Sequence, residues 1–194
     1  EIFSALEDPN VTLHIKLPDS ERAKLRSTLR EDSEHVLQAL SDIRAQNAEA
    51  KVERERDLIL DVNRSSAGGF SLVNSQVRNG LVLWYVTQLK ALIDLAPGDY
   101  QLRLSSARFM YNVGLYDDAL ENAEKCLEAI GTDQWRDPKK FSKFHTYQLM
   151  AHSYSKQSMF QHAIGLYEQA NDELDSYGLD VCYAGIAQAY FDNR

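Results

Sequence analysis

The spacing of hydrophobic residues changes twice along this chain. Residues 11–17, Val-Thr-Leu-His-Ile-Lys-Leu, alternate apolar and polar with a period of two, the pattern of a β-strand. A lone strand needs a partner, so this run is expected either to pair with a segment outside the chain or, more simply, to lie extended against helices. Residues 1–18 are therefore read as an extended N-terminal segment. Pro18 and Asp19 then signal a helix start, because the Asp19 carboxylate can accept from the free amides of a first turn. From Ser20 to about Val62 the sequence is charged and helix-favouring, and its apolar stripe includes Val36, Leu37, Leu40 and Ile43. The stripe thins between Ser41 and Asp57. A seam through Leu29, Val36 and Ile43 would include Asp32, Ala39 and Gln46, so two helices, or one long helix packing at its ends, are expected rather than a coiled coil. Ser65-Ser66-Ala67-Gly68-Gly69 breaks the pattern, and residues 19–69 make up a charged helical region and its linker.

Helical spacing resumes after the linker. Val77–Leu95 is predicted to be a helix with Leu81, Trp84, Tyr85, Gln88, Leu89, Leu92 and Ile93 on or near its buried side, ended by Pro97. Two later stretches share one spacing. Residues 147–170 run Tyr147, Met150-Ala151, Tyr154, Phe160, Ala163, Tyr167 and Ala170. The stretch before offers Ala107, Gly114, Tyr116, Ala119 and Cys126 in the same order, with Arg103, Met110 and Ala123 where the later copy has tyrosines. A third copy opens with Tyr183, Ile186-Ala187 and Tyr190. Two antiparallel helices approach closely only where the crossing residues are small, so Ala151 and Ala163 mark a crossing that the larger side chains surround.

The spacing in residues 147–170 resembles the tetratricopeptide (TPR) repeat, W-x2-L-G-x2-Y followed by A-x3-F, and the resemblance runs from about Val73 to the end of the chain. It implies an all-α fold in which residues 70–194 form TPR-like antiparallel helical hairpins stacked as an α-solenoid, truncated in the last repeat. Pro97 to Gly131 spans 34 positions, one TPR period, which makes Val77–Leu95 the second helix of a degenerate repeat. Ala119 to Ala163 spans 44, which places an insertion in a loop from about Gly131 to Lys143. Trp135 sits in that insertion, to cover the hairpin or to contact a partner.

Composition narrows the functional classes. At 194 residues with 44% hydrophobic content the chain can bury one substantial core. A net charge of -8 opposes binding to a phosphate backbone or an anionic membrane surface, so nucleic acid is not an expected partner. No integral membrane segment is expected either. Lys139-Lys140 with nearby Lys143 form the one local basic cluster, read as a solvated loop. Cys126 and Cys182 fall on predicted helices and read as buried reduced thiols, which points to the cytoplasm. The sequons Asn10-Val11-Thr12 and Asn63-Arg64-Ser65 keep the secretory lumen open. The absence of an initiating methionine before Glu1 leaves room for a targeting sequence removed by processing.

Catalytic motifs are missing: there is no P-loop, H-E-x-x-H, C-x-x-C, G-x-S-x-G or dinucleotide fingerprint, so an enzyme, a cofactor and a metal are not expected. His145 and His152 share a helix face but stand about 10 Å apart, too far for one ion. Binding is the positive expectation. In a TPR array the first helix of each repeat lines a concave groove, and the resemblance places Leu104, Arg108, Tyr111, Gln148, His152, Ser155 and Gln188 there, beside Gln101, His145 and Phe191. These amides, imidazoles and aromatics suit an extended peptide or a helix. A TPR carboxylate clamp would need several cations near Leu104, Arg108, Gln148, His152, Ala184 and Gln188, and only Arg108 is one. No such clamp is expected. The function expected is a non-enzymatic scaffold or adaptor that binds a protein or peptide; the alternative is a substrate-recognition or regulatory domain of a larger enzyme. Tyr183, Ile186, Tyr190 and Phe191 lie on a last helix without its partner, which is expected to self-associate or to be covered by a further segment.

Overall fold

The structure, a computed structural model, describes residues 33–42, 69–130, 137–173 and 179–192, together with isolated positions between 24 and 64. Its helices are α1 (Ser33–Ser41), α2 (Gly69–Leu95), α3 (Tyr100–Asn112), α4 (Tyr116–Ile130), α5 (Asp137–Lys156), α6 (Phe160–Glu173) and α7 (Leu179–Asp192). No strand occurs among the described residues, so the fold is all-α. The extended segment 1–18, linker residues 65–68 and Trp135 lie outside them. Among the described residues no helix is long and apolar enough to cross a membrane.

Local chemistry sets the helix ends. Asp99 caps α3, its carboxylate accepting from the Leu102 amide at 3.1 Å. Arg103 locks the same corner from inside, donating through Nε to the Pro97 carbonyl at 2.8 Å. At the other end of α3, Gly114 adopts a left-handed φ of 84°. The Leu115 amide donates to the Met110 carbonyl at 2.8 Å and the Gly114 amide to that of Tyr111 at 3.0 Å, a Schellman turn. The turn from α5 to α6 repeats it bond for bond: Met159 donates to Tyr154 at 2.9 Å and Ser158 to Ser155 at 3.0 Å, with Ser158 at φ 61°. Each residue stands 44 positions after its counterpart.

Burial recurs at the same interval. Ala107, Phe109, Ala119, Ala123 and Cys126 are buried, and so are Ala151, Ser153, Ala163, Tyr167 and Ala170. Alanine at the crossings lets the axes approach, and the apolar area thereby removed from water drives the pairing. The directions follow from paired contacts. Cys126 reaches the Tyr100 carbonyl while Asn122 reaches the Met110 sulfur, each at 3.3 Å, so α3 and α4 are antiparallel. Cys126 also meets Thr146 at 3.5 Å while Gln157 donates to Asp117 at 3.2 Å, so α4 and α5 are antiparallel too. Helices α3 and α5 therefore run parallel, and they touch. The pairing of α5 with α6 is antiparallel again, with Tyr154 stacked on His162 and Tyr167 bonded to His152.

The structure departs from the sequence reading in several places. Helix α2 begins at Gly69, two turns before Val77, and Val73, 2% exposed, anchors the added turns. Val86 joins Leu89 and Ile93 in its buried row. Helix α5 begins at Asp137, so Lys139, Lys140 and Lys143 are helical rather than in a loop. Pro138 favours that start, since a first-turn residue loses no hydrogen bond by lacking an N–H. On α7 the expected packing residue Ala187 is exposed, while Gly185 and Ala189 face inward; Tyr190 and Phe191, expected on the uncovered side of that helix, are exposed. In α5 the equivalent Ala151 packs against Ala163 of the following helix, and among the described residues α7 has no following helix. At the other end of the protein, Val36 and Leu40 of α1 pack with Leu89 and Phe109, and Arg78 Nε donates to the Leu40 carbonyl at 3.3 Å. A cation at that helix C-terminus meets the negative end of its dipole.

Candidate functional site

The parallel pair α3 and α5 presents one shared face. Arg108 and Tyr111 stand one turn apart on α3, and His145, Gln148 and His152 fall at intervals of three and four on α5, so each set occupies one side of its helix. The structure joins the two sets. The rings of Tyr111 and His152 lie 6.2 Å apart, and Tyr111 also meets Tyr116 at 5.7 Å. Behind them the Tyr167 hydroxyl of α6 lies 2.8 Å from His152 Nδ1, which fixes the imidazole from below.

Electrostatics keep both histidines neutral over a wider range than usual. Burial lowers the pKa of His152 and the Lys156 charge lowers it further. His145 is lowered by burial and then by the Arg108 guanidinium, with a hydrogen bond that its ring donates to Gln148 acting in the opposite direction. Arg108 and Lys156 themselves are exposed. A face of this kind offers two fixed cations, neutral imidazoles and a flat tyrosine ring, the groups that hold carboxylates, backbone amides and apolar side chains.

The expected site residues separate into those on this face and those elsewhere. Arg108, Tyr111, Gln148 and His152 come together here. Leu104 does not line a groove: at 8% exposure it packs in the core with Ala107, Leu120 and Met150, because α5 closes over it. Ser155 is half-buried, and its carbonyl accepts from Ser158 in the turn. Gln188 is exposed on α7, which touches α5, and Gln101 is exposed on α3. Sequence reasoning missed Lys156, although its place four residues after His152 puts it on the same side.

Other chemistry is sparse among the described residues. No three His, Cys, Asp or Glu side chains are placed to hold a metal ion. Burial raises the Cys126 pKa, and the thiol rests against the Tyr100 carbonyl and Thr146, a packed group rather than a nucleophile. An open cleft beside the α3–α4 turn includes Asp117 and Asp118. Both are already engaged, with Gln157 and with Lys90 at 2.7 Å. The sequence matches no protein-family model, and no curated protein matches it.

Proposed function

We propose that this chain is a TPR-like interaction module that binds a protein or peptide through the face shared by α3 and α5, and that it performs no chemistry of its own. The observation that carries the reading is the 44-residue recurrence of turn and burial, which makes α3–α4 and α5–α6 two copies of one hairpin. Stacked copies of a hairpin bring their first helices side by side, and a row of such helices is a recognition surface. Arg108 supplies a charge-assisted bond, Tyr111 an apolar anchor, and Gln148 and His152 polar partners for a peptide backbone.

The test is selection of binders from a random peptide library displayed on phage, followed by affinity measurement on the wild-type chain and on an Arg108→Ala/Tyr111→Ala variant of unchanged melting temperature. Each lost hot spot should weaken binding by about 1 to 2 kcal/mol. Binders with equal affinity for both proteins would place recognition elsewhere on the surface.

A further inference from the structure

Charge is sorted by helix in this protein, and the sorting matches its two surfaces. Helix α4 turns Asp117, Glu121, Glu124 and Glu128 to solvent, and α6 adds Glu168 and Asp172. Helix α3 contains no acidic residue, and the only one in α5 is Asp137 in its first turn. Thus a chain of net charge -8 keeps the α3–α5 face, among the described residues, free of carboxylates on its own two helices while its second helices are acidic on the outside. Arg108 and Lys156 stand exposed on that face, and among the described residues neither forms an ion pair. Burial lowers the protonation of His145 and His152, and the charges of Arg108 and Lys156 respectively lower it further.

Like charges gathered on one face repel, and the surrounding acids would draw any mobile cation away from it; an anionic ligand of limited size relieves the first without meeting the second. We infer that the occupant of the α3–α5 face is an extended segment of a partner protein carrying two acidic side chains that flank an apolar residue. This rests on the interaction-module reading above and adds the chemistry of the ligand. One carboxylate pairs with Arg108 and the other with Lys156, while the apolar residue between them covers Tyr111 and His152. Spacing sets the register. Tyr111 stands level with His152; Arg108 lies about 4.5 Å before it and Lys156 about 6 Å beyond, and packed helix axes stand about 8 to 10 Å apart, so the two cations are separated by about 14 Å. An extended chain, rising about 3.3 Å per residue, covers that in about four residues. A long polyanion is disfavoured, because beyond the two cations it would run against the acids of α4 and α6.

The experiment uses fluorescein-labelled nonapeptides in which two glutamates are set two to six positions apart around a leucine, beside the same peptides with glutamine. Binding to the whole chain is followed by fluorescence anisotropy at 50 mM and 300 mM NaCl. Peptides with glutamates four apart should bind at least tenfold more tightly than their glutamine versions and lose most of that advantage at the higher salt. An Arg108→Glu/Lys156→Glu variant should lose these peptides and gain the lysine version of the same sequence, and the single Lys156→Glu change should already halve the preference. Equal binding of glutamate and glutamine peptides, both weakened by Tyr111→Ala, would overturn the acidic ligand while leaving the interaction face standing. Failure of every peptide to bind, or tighter binding of an oligothymidylate, overturns it as well. So does an oligomer in sedimentation that the charge reversal dissolves, since the occupant would then be the acidic face of a second copy.

Discussion

The ring of Tyr167 lies directly on Gly185: a methyl group at residue 185 would stand 2.5 Å from Tyr167 Cζ and 2.6 Å from Cε1. The same tyrosine, 2% exposed, holds His152 through its hydroxyl, so one side chain ties α7 to the back of the α3–α5 face. Gly185→Ala should force the ring to move and destabilise the protein by about 1 to 3 kcal/mol, the usual cost of overpacking. Urea denaturation of the variant measures this, and an unchanged midpoint would mean that α7 is not seated on Tyr167.

The two left-handed turns predict opposite signs for complementary substitutions. Space around Gly114 is open, so Gly114→Ala tests φ alone and should cost about 1 to 2 kcal/mol. Ser158 already bears that strain, and Ser158→Gly should recover about 1 kcal/mol, less the entropy that glycine adds to the unfolded chain. Thermal melts of both variants decide it: a Ser158→Gly protein that melts below the wild type would contradict the left-handed assignment.

Gly165 sits inside α6 with nothing within 4 Å of where a Cβ would be. Alanine there should stabilise the helix by about 0.5 to 1 kcal/mol without touching a neighbour. The check is a rise in melting temperature together with unchanged peptide binding.

Acid should weaken the fold through His145 and His152. Both have pKa values lowered below the ordinary 6.5, so the unfolded chain takes up protons at a pH where the folded chain does not. Their contribution is fully present above pH 6.5, declines as the pH falls through that value, and levels off below the folded-state pKa values. Urea midpoints at pH 7 and pH 5 should differ in this direction, and His152→Gln should reduce the difference. A variant with the same pH dependence as the wild type would remove His152 from the account.

The helical architecture after residue 69 was legible because small and large side chains fall at fixed intervals: Ala151, Ala163 and Tyr167 could be named from spacing, and they meet in one cluster. Burial on a face could not be read in the same way. Leu104 shares a helical side with Arg108, yet it is covered because it packs in one cluster with Leu149 and Met150 of the neighbouring helix. Lys156 went unnoticed because a lysine at a helix end has an ordinary explanation, complementing the dipole. The start of α5 was misplaced for a different reason: proline and clustered lysines resemble loop composition, and proline at a first turn is compatible with either state. The 44-residue interval was visible in the sequence, but its realisation as two matching sets of turn hydrogen bonds was not, because serine gives no sign of a left-handed conformation.

Contacts between near neighbours also determine how this protein can be made. Helix α3 packs mainly with α4, the helix that follows it, and the turns closing the α3–α4 and α5–α6 hairpins are short. Closing such small loops costs little entropy, and most native contacts require no distant part of the chain. The first hairpin can therefore assemble while the second is still being synthesised, and each later helix docks on a surface already in place. Tyr167 comes late in that order, so His152 receives its hydrogen-bond partner only after α6 has been added.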